Sequence, residues 1–112
     1  MNITETKHDK GVVFKVEGRL DSTSAPEVEK KVCESIDNGV KYIILNFSAL
    51  EYISSAGIRV LVHAHKKIQH QKGKIVLSSL PKPVENVLYI TGFLPYFKIF
   101  DNDELALENL NN

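Results

Sequence analysis

Apolar and polar positions along the chain predict short strands that alternate with helices. Residues 12–17 (VVFKVE) alternate between the two after a short apolar start, which is typical of a strand with one buried face. Residues 3–8 are expected to pair with them as an edge strand, across a turn at Asp9-Lys10-Gly11. Residues 42–47 (YIILNF) and 74–79 (KIVLSS) are apolar runs of strand length. Such runs predict strands that are covered on both faces.

Two longer segments have the apolar period of a helix. The first is predicted over residues 25–37, where Val28, Val32 and Ile36 recur every four positions. Ser24-Ala25-Pro26-Glu27 has the spacing of a capping box, with proline in the first turn, and Asn38-Gly39 closes the helix. The helical period returns from residue 58 onward, and Lys72-Gly73 ends this second helix. Its apolar face is expected to carry Ile58, Leu61, Val62, His65 and Ile68.

The last third of the chain predicts three short elements. A helix carries Val84, Val87, Leu88 and Thr91, and Gly92 stops it. Residues 97–100 (FKIF) predict a last short strand, and Asn102-Asp103-Glu104 is expected to cap a terminal helix with Leu105, Leu107 and Leu110. The order β-β-α-β-α-β-α-β-α indicates an open α/β sheet with crossover connections, in a single domain over residues 1–112.

Composition and charge narrow the function classes. The chain is 43% hydrophobic and 25% charged, close to the globular average. Lys plus Arg equals Asp plus Glu at 14 each, so the basic footprint of non-specific nucleic-acid binding is missing. The apolar runs are far shorter than the roughly 20 residues that cross a bilayer. The first ten residues do not resemble a signal peptide, and the lone Cys33 has no internal disulfide partner. We therefore expect a soluble cytoplasmic protein that binds neither nucleic acid nor membrane directly.

The most informative segment runs from Leu45 to Leu61, where a buried strand ends, a short loop follows and a helix begins. Ser54, Ser55 and Gly57 lie in the first turn of that helix. A helix N-terminus offers free N–H groups and the positive end of the macrodipole, which stabilise an anion, including a phosphate that the protein itself carries. Glycine leaves room for the close approach of a partner backbone. Serine at this place is also a common helix cap, so both interpretations stay open from local chemistry.

The same segment resembles the signature of STAS domains in anti-anti-sigma factors. In that family an apolar strand leads to Asp-Leu-Ser and then to Asp-Ser-Ser-Gly-Leu or Asp-Ser-Ala-Gly-Leu at the start of a helix. The counterparts here are Asn46-Phe47-Ser48 and Ser54-Ser55-Ala56-Gly57-Ile58, so Asn46 and Ser54 replace the family's aspartates. Gly18-Arg19-Leu20-Asp21 resembles the end of the family's second strand. Thr91-Gly92-Phe93 and Phe97-Lys98-Ile99-Phe100 resemble its ending.

The resemblance implies both a fold and a regulatory cycle. The fold is a single STAS-type domain of the α/β class, with a mixed sheet of about five strands and helices packed mainly on one face. The implied function is that of an anti-sigma factor antagonist. Its unphosphorylated form binds an anti-sigma factor with serine-kinase activity, which releases a sigma factor. The kinase then phosphorylates the antagonist, and a PP2C-type phosphatase resets it.

The resemblance also assigns residues. The family's phosphorylated serine falls on Ser55, with Ser54 as second choice because two adjacent hydroxyls compete. The expected partner-binding residues are Asp21, Ser22, Ser54, Ser55, Gly57 and Arg59, clustered at one end of the molecule because binding sites gather at the carboxyl ends of strands. A weak homodimer is left open.

Other candidate chemistry is sparse. His63 and His65 are two positions apart and so point roughly 200° apart on a helix, whereas metal-binding helices place histidines at i and i+4. We expect His65 to be a hydrogen-bonded core or boundary residue. The residues Arg59, His63, Lys66, Lys67 and His70 form a basic outer face, which is either solvated or a contact surface for an acidic partner.

No catalytic residue, metal site or cofactor is identified. The sequence around Asp21 contains no motif that combines it with a basic or nucleophilic residue, and no glycine-rich nucleotide-binding loop occurs in the sequence. We expect a binding protein and no enzyme. Two alternatives to the phosphorylated switch stay open. One is an accessory STAS subunit of a transporter ATPase, whose serine contacts a partner without being phosphorylated. The other is a nucleotide or anion sensor that uses the helix N-terminus at Ser55.

Overall fold

The computed structural model describes residues 1–110, which form six strands and four α-helices. The strands are β1 (Asn2–Lys7), β2 (Val12–Leu20), β3 (Tyr42–Asn46), β4 (Leu50–Ile53), β5 (Lys74–Ser78) and β6 (Ile99–Phe100). The helices are α1 (Ala25–Asp37), α2 (Ser55–His70), α3 (Lys82–Ile90) and α4 (Asp103–Glu108), with a single 3-10 turn at Leu94–Tyr96.

One mixed sheet runs through the domain in the order β1-β2-β3-β5-β6, with β4 paired to the end of β2. β1 is antiparallel to β2, and the other pairs are parallel. β3 lies between β2 and β5, so the apolar run at residues 42–47 occupies the sheet interior as expected. The predicted α/β class with a mixed sheet is confirmed.

β4 is the strand that the sequence pattern did not predict. Only the two ends of its four residues are buried, while Glu51 and Tyr52 are exposed. That is too short a pattern to separate a strand from a loop. β2 is correspondingly longer than predicted. It pairs with β3 over Val12–Lys15 and with β4 over Gly18–Leu20, and the pairing changes where Gly18 adopts a φ of +98°.

The sheet separates two apolar layers of unequal size. The larger layer joins Phe14, Ile43 and Leu77 to the buried sides of α1, α2 and α3. The smaller layer lies on the opposite face, where Val13, Ile44 and Val76 meet Ala106 and Leu110 at α4 and just beyond it. Helices therefore cover mainly one face, as the resemblance implied.

The helices differ in detail from the predicted ones. α2 begins at Ser55, and its buried side also includes Val60 and Ala64. His65 is half-buried, with its ring edge-on to Phe97 at 5.3 Å between centroids. Its buried Nδ1 has no hydrogen-bond partner among residues 1–110, so the expectation of a hydrogen-bonded His65 is wrong for this atom.

The last elements are shorter than expected. β6 contains only Ile99–Phe100 of the predicted 97–100, because the 3-10 turn precedes it. Asn102 caps α4 as predicted, since its Oδ1 accepts a hydrogen bond of 2.8 Å from the N–H of Leu105. The Leu105 side chain remains 39% exposed, whereas the predicted Leu110 is buried together with Ala106.

Candidate phosphorylation and partner-binding site

Two strand ends meet at the start of α2. The parallel pairing of β2 with β4 matches Arg19 to Tyr52 and Leu20 to Ile53. Asp21 and Ser54 each follow the last paired residue of their strand. The structure thereby brings the Asp21 loop and the two serines to one end of the sheet, at the carboxyl ends of the strands, where open α/β sheets bind ligands.

Gly57 lies at the closest contact between α2 and β2. A Cβ atom at this position would be 2.8 Å from Leu20 Cγ, 2.9 Å from Ile53 Cγ1 and 3.0 Å from the Leu20 carbonyl oxygen. Gly57 is also buried. The close backbone approach that the glycine indicated is therefore made by β2 of the same chain, and it sets the position of the helix start.

The two serines occupy different environments. Ser54 is the helix cap, because its Oγ accepts a hydrogen bond of 3.4 Å from the N–H of Gly57. Ser55 is the first residue of α2 and is exposed. Within residues 1–110 no hydrogen bond engages the Ser55 hydroxyl. The capping role thus belongs to Ser54, and the Ser55 hydroxyl is accessible to a modifying enzyme.

The Asp21 carboxylate organises the loop between β2 and α1. Its Oδ1 accepts hydrogen bonds from the backbone N–H groups of Thr23 at 3.0 Å and Ser24 at 3.2 Å. Both bonds hold the pKa of Asp21 below its usual value, and the bond from the Ser24 N–H has the larger effect. Asp21 is therefore ionised at neutral pH, and the neighbouring Ser22 is exposed in the same turn.

The predicted capping box at Ser24 is wrong. Ser24 precedes α1, but its side chain makes no capping hydrogen bond. Its Oγ instead donates to the carbonyl oxygen of Arg19 at 2.6 Å and accepts from the N–H of Asp21 at 3.0 Å. The side chain ties the loop after Leu20 back to β2.

Arg19 and Tyr52 are a further part of this end that sequence reasoning missed. The Arg19 guanidinium carbon lies 4.3 Å from the centre of the Tyr52 ring, and Arg19 Nε is 4.0 Å from Asp21 Oδ2. A cation over an aromatic face contributes roughly 0.5–1 kcal/mol at an exposed site. The pair is visible only once β4 is known to lie beside β2.

Asn46, which replaces an aspartate of the signature, has a defined role. Its Oδ1 accepts from the N–H of Ser48 at 2.8 Å, and its Nδ2 donates to Asp103 Oδ2 at 2.9 Å. The other oxygen of Asp103 accepts from the Ser78 hydroxyl at 2.5 Å. Asn46 thus donates to Asp103, which an ionised aspartate at this position could not do.

The remaining predicted candidates lie further along α2. Arg59 is exposed one turn after Ser55 on the same face of α2. Lys67 and His63 point toward α1, where Lys67 Nζ lies 2.9 Å from Asp37 Oδ1 and His63 Nδ1 lies 3.7 Å from Glu29 Oε2. Across residues 1–110, no three His, Cys, Asp or Glu side chains are grouped to hold a metal ion.

Comparison with known proteins decides the family. A model of the STAS domain family matches residues 2–106. The chain belongs to the STAS domain family. This STAS domain is 32% identical over 106 residues to BtrV of Bordetella bronchiseptica, whose name is that of an anti-sigma factor antagonist; the match covers 95% of this chain and 91% of BtrV.

Solved structures agree with this STAS fold. A Thermotoga maritima structure described as an anti-sigma factor antagonist has a TM-score of 0.91 and 27% identity, and covers 98% of this chain and 95% of its own. The unphosphorylated form of SpoIIAA, an anti-sigma factor antagonist of Bacillus, has a TM-score of 0.86 and 20% identity. The match covers 98% of this chain and 96% of the SpoIIAA chain. In the part of the STAS domain that the structure describes, no helix is long and apolar enough to span a membrane.

Proposed function

We propose that this STAS domain is an anti-sigma factor antagonist whose binding is switched off by phosphorylation of Ser55. The observation that carries the proposal is that the two adjacent serines have different structural roles. Ser54 is used as the helix cap, whereas Ser55 is exposed and its hydroxyl makes no hydrogen bond among residues 1–110. The names of the relatives support the antagonist role.

The unphosphorylated form binds an anti-sigma factor with serine-kinase activity in the cytoplasm. The surface for this contact is the end of the sheet that carries Asp21, Ser22, Ser55 and Arg59, with Ser54 and Gly57 holding the helix start in place. Binding there withdraws the anti-sigma factor from its sigma factor. A PP2C-type phosphatase removes the phosphate and restores the binding form.

Charge explains why one phosphate is sufficient. Phosphorylation adds about −1.5 to −2 charges at neutral pH. At Ser55 this charge lies one helical turn before the exposed Arg59, so it opposes the positive charge of this part of the surface. A buried interface must desolvate or repel that charge, which costs several kcal/mol. A loss of about 1.4 kcal/mol already weakens binding tenfold.

Phosphorylation is not expected to unfold α2. A helix N-terminus favours a negative charge by roughly 0.3–1 kcal/mol, and the first turn of α2 contains no acidic residue. The switch therefore acts at the contact surface and not through the core.

The test combines phosphopeptide mass spectrometry with binding. The protein is isolated from its native cells, and the modified residue is identified. The co-purifying serine kinase is then purified and titrated against wild type, Ser55→Ala and Ser55→Asp. We expect phosphate on Ser55 only, wild-type affinity for Ser55→Ala and weaker binding for Ser55→Asp. Phosphate on Ser54, or equal affinity of all three proteins, contradicts the proposal.

A further inference from the structure

One face of α2 is left uncovered beside Ser55. It carries Ser55, Ile58, Arg59, Val62, His63 and Lys66, and with Phe93 across from it forms a groove of about 480 Å³. We call this the α2 groove. Ser55 and Lys66 are 11 residues apart, which is about 16 Å along a helix. The proposed phosphorylation site therefore lies at one end of a groove three turns long.

The groove combines apolar and cationic groups. Ile58, Val62 and Phe93 are buried or half-buried and supply its apolar part, and Arg59 and Lys66 are exposed. None of the residues that line the groove is acidic. This composition matches a ligand that has both carboxylates and an apolar side chain.

The two sides of α2 differ in how their cations are neutralised. Toward α1, Lys67 is paired with Asp37. His63 lies at the boundary between the two sides, because it lines the groove and its Nδ1 is 3.7 Å from Glu29 Oε2 of α1. Arg59 and Lys66 have no ion-pair partner within the described part of the chain. α1 therefore supplies carboxylates for one side of α2, whereas the groove side keeps two free positive charges.

Exposed apolar side chains continue the groove beyond Phe93. The Tyr96 ring lies 5.9 Å from the Phe93 ring and is 57% exposed. An exposed aromatic side chain in contact with a groove residue is typical of an interaction surface. Tyr89 and Ile90 at the end of α3 are also exposed, at 72% and 80%.

We propose that the α2 groove binds an acidic segment of the anti-sigma factor. The segment places carboxylates against Arg59 and Lys66 and an apolar side chain against Phe93. The inference rests on the proposed function and extends its contact surface from the Asp21 loop along α2. A contact between two copies of the groove fits less well, because none of the lining residues is acidic and so neither copy offers a carboxylate to Arg59 and Lys66. A nucleic acid is disfavoured by the zero formal charge of the whole chain.

The groove also connects the phosphate to the partner. A phosphate on Ser55 lies one turn from Arg59, the spacing at which side chains of opposite charge pair on a helix. It therefore neutralises Arg59 and repels the carboxylates of the bound segment. Both effects act against the same acidic ligand.

The test measures the affinity of the purified anti-sigma kinase for charge and truncation variants. Lys66→Glu is expected to weaken binding at least tenfold at low salt, with a smaller effect at high salt because salt screens exposed charges. Lys30→Glu makes the same charge change on the exposed part of α1 and is expected to change affinity less than twofold. Phe93→Ala is expected to weaken binding, and Leu105→Ala on the opposite face is its control. Unfolding temperatures show that each variant is folded.

A photo-crosslinking residue in place of Lys66 then identifies the bound segment. We expect crosslinks to a segment of the kinase that contains Asp or Glu, and reversing one of those charges to Lys should restore binding to Lys66→Glu. Wild-type affinity for both Lys66→Glu and Phe93→Ala overturns the groove assignment while the antagonist function stands. Crosslinks only to a second copy of this chain overturn it as well. Failure of wild type to bind any anti-sigma factor removes both proposals.

Discussion

The backbone N–H of Ser54 donates a hydrogen bond of 2.9 Å to the carbonyl oxygen of Leu20. This bond joins the start of α2 to the end of β2, although the two residues are 34 positions apart in the chain. Because Asp21 follows Leu20 and Ser55 follows Ser54, the bond also sets the distance between the acidic loop and the proposed phosphorylation site.

Substituting the two serines separates capping from phosphorylation. Ser54→Ala removes a cap and is expected to lower the free energy of unfolding by about 0.5–2 kcal/mol, while phosphorylation continues. Ser55→Ala loses no hydrogen bond within residues 1–110 and is expected to retain wild-type stability, while phosphorylation stops. Urea unfolding and kinase assays on both variants check this. If Ser55→Ala lowers the free energy of unfolding and Ser54→Ala leaves it unchanged, the two roles are the reverse of those assigned here.

Gly57→Ala is expected to destabilise the protein even though alanine is the better helix former. The new methyl group would lie 3.0 Å from the Leu20 carbonyl oxygen and closer still to the Leu20 and Ile53 side chains. Overpacking of this kind costs about 1–3 kcal/mol. Thermal unfolding measures the loss of stability. Ala56→Ser, at the adjacent position of the same turn, is the control. A Gly57→Ala variant with wild-type stability would show that β2 shifts to make room for the methyl group.

Asn46→Asp is expected to destabilise the domain, although it restores the residue of the family signature. It replaces the donor to Asp103 by a second carboxylate, and loss of such a bond next to a charge costs about 1–3 kcal/mol. The double variant Asn46→Asp/Asp103→Asn exchanges donor and acceptor and should recover most of the loss. Denaturant unfolding of the two single variants and the double variant gives the interaction free energy between positions 46 and 103. Additive losses would exclude a direct bond.

The His65 ring is expected to make stability depend on pH. Burial lowers the pKa of the His65 imidazole below its usual value of about 6.5, so between the two pKa values the unfolded chain binds more protons. The free energy of unfolding should therefore decrease as the pH falls through about 6.5. Unfolding temperatures between pH 8 and 5.5 test this, a range above that in which Asp21 titrates. His65→Phe should flatten the curve, whereas the exposed His70→Gln should not.

Phosphorylated protein is expected to keep its fold and to show the influence of Arg59 on the phosphate. The second pKa of phosphoserine is about 6. A ³¹P titration should give a pKa roughly 0.3 higher in Arg59→Gln than in wild type, since an i, i+4 ion pair contributes about 0.3–0.5 kcal/mol. Amide shifts should change around residues 20–24 and 52–60. Broad changes across 74–79 and 97–100 would mean that the sheet responds, and the contact-surface mechanism would then be wrong.

Local patterns in the chain predicted the order of the strands and helices, with the exception of β4. Residues 42–47 are an almost continuous apolar run of strand length, which predicted an interior strand. Val28, Val32 and Ile36 repeat at the helical period, so α1 was evident. The signature around Ser55 lies within a short contiguous segment, and the family was therefore recognisable before any contact was known.

The tertiary structure alone decided how these residues are used. Whether Ser54 or Ser55 caps α2, and what fills the space beside Gly57, depends on Leu20 in a distant strand. Ser24 has the spacing of a cap, but β2 offers its Oγ a better-placed acceptor, the carbonyl oxygen of Arg19. Arg59, Lys66 and Lys67 look alike as a run of cations, and only the position of α1 neutralises Lys67 and leaves the other two facing the groove. The spacing of residues in a chain predicts the elements, whereas the partner of each polar group is decided by which elements lie side by side.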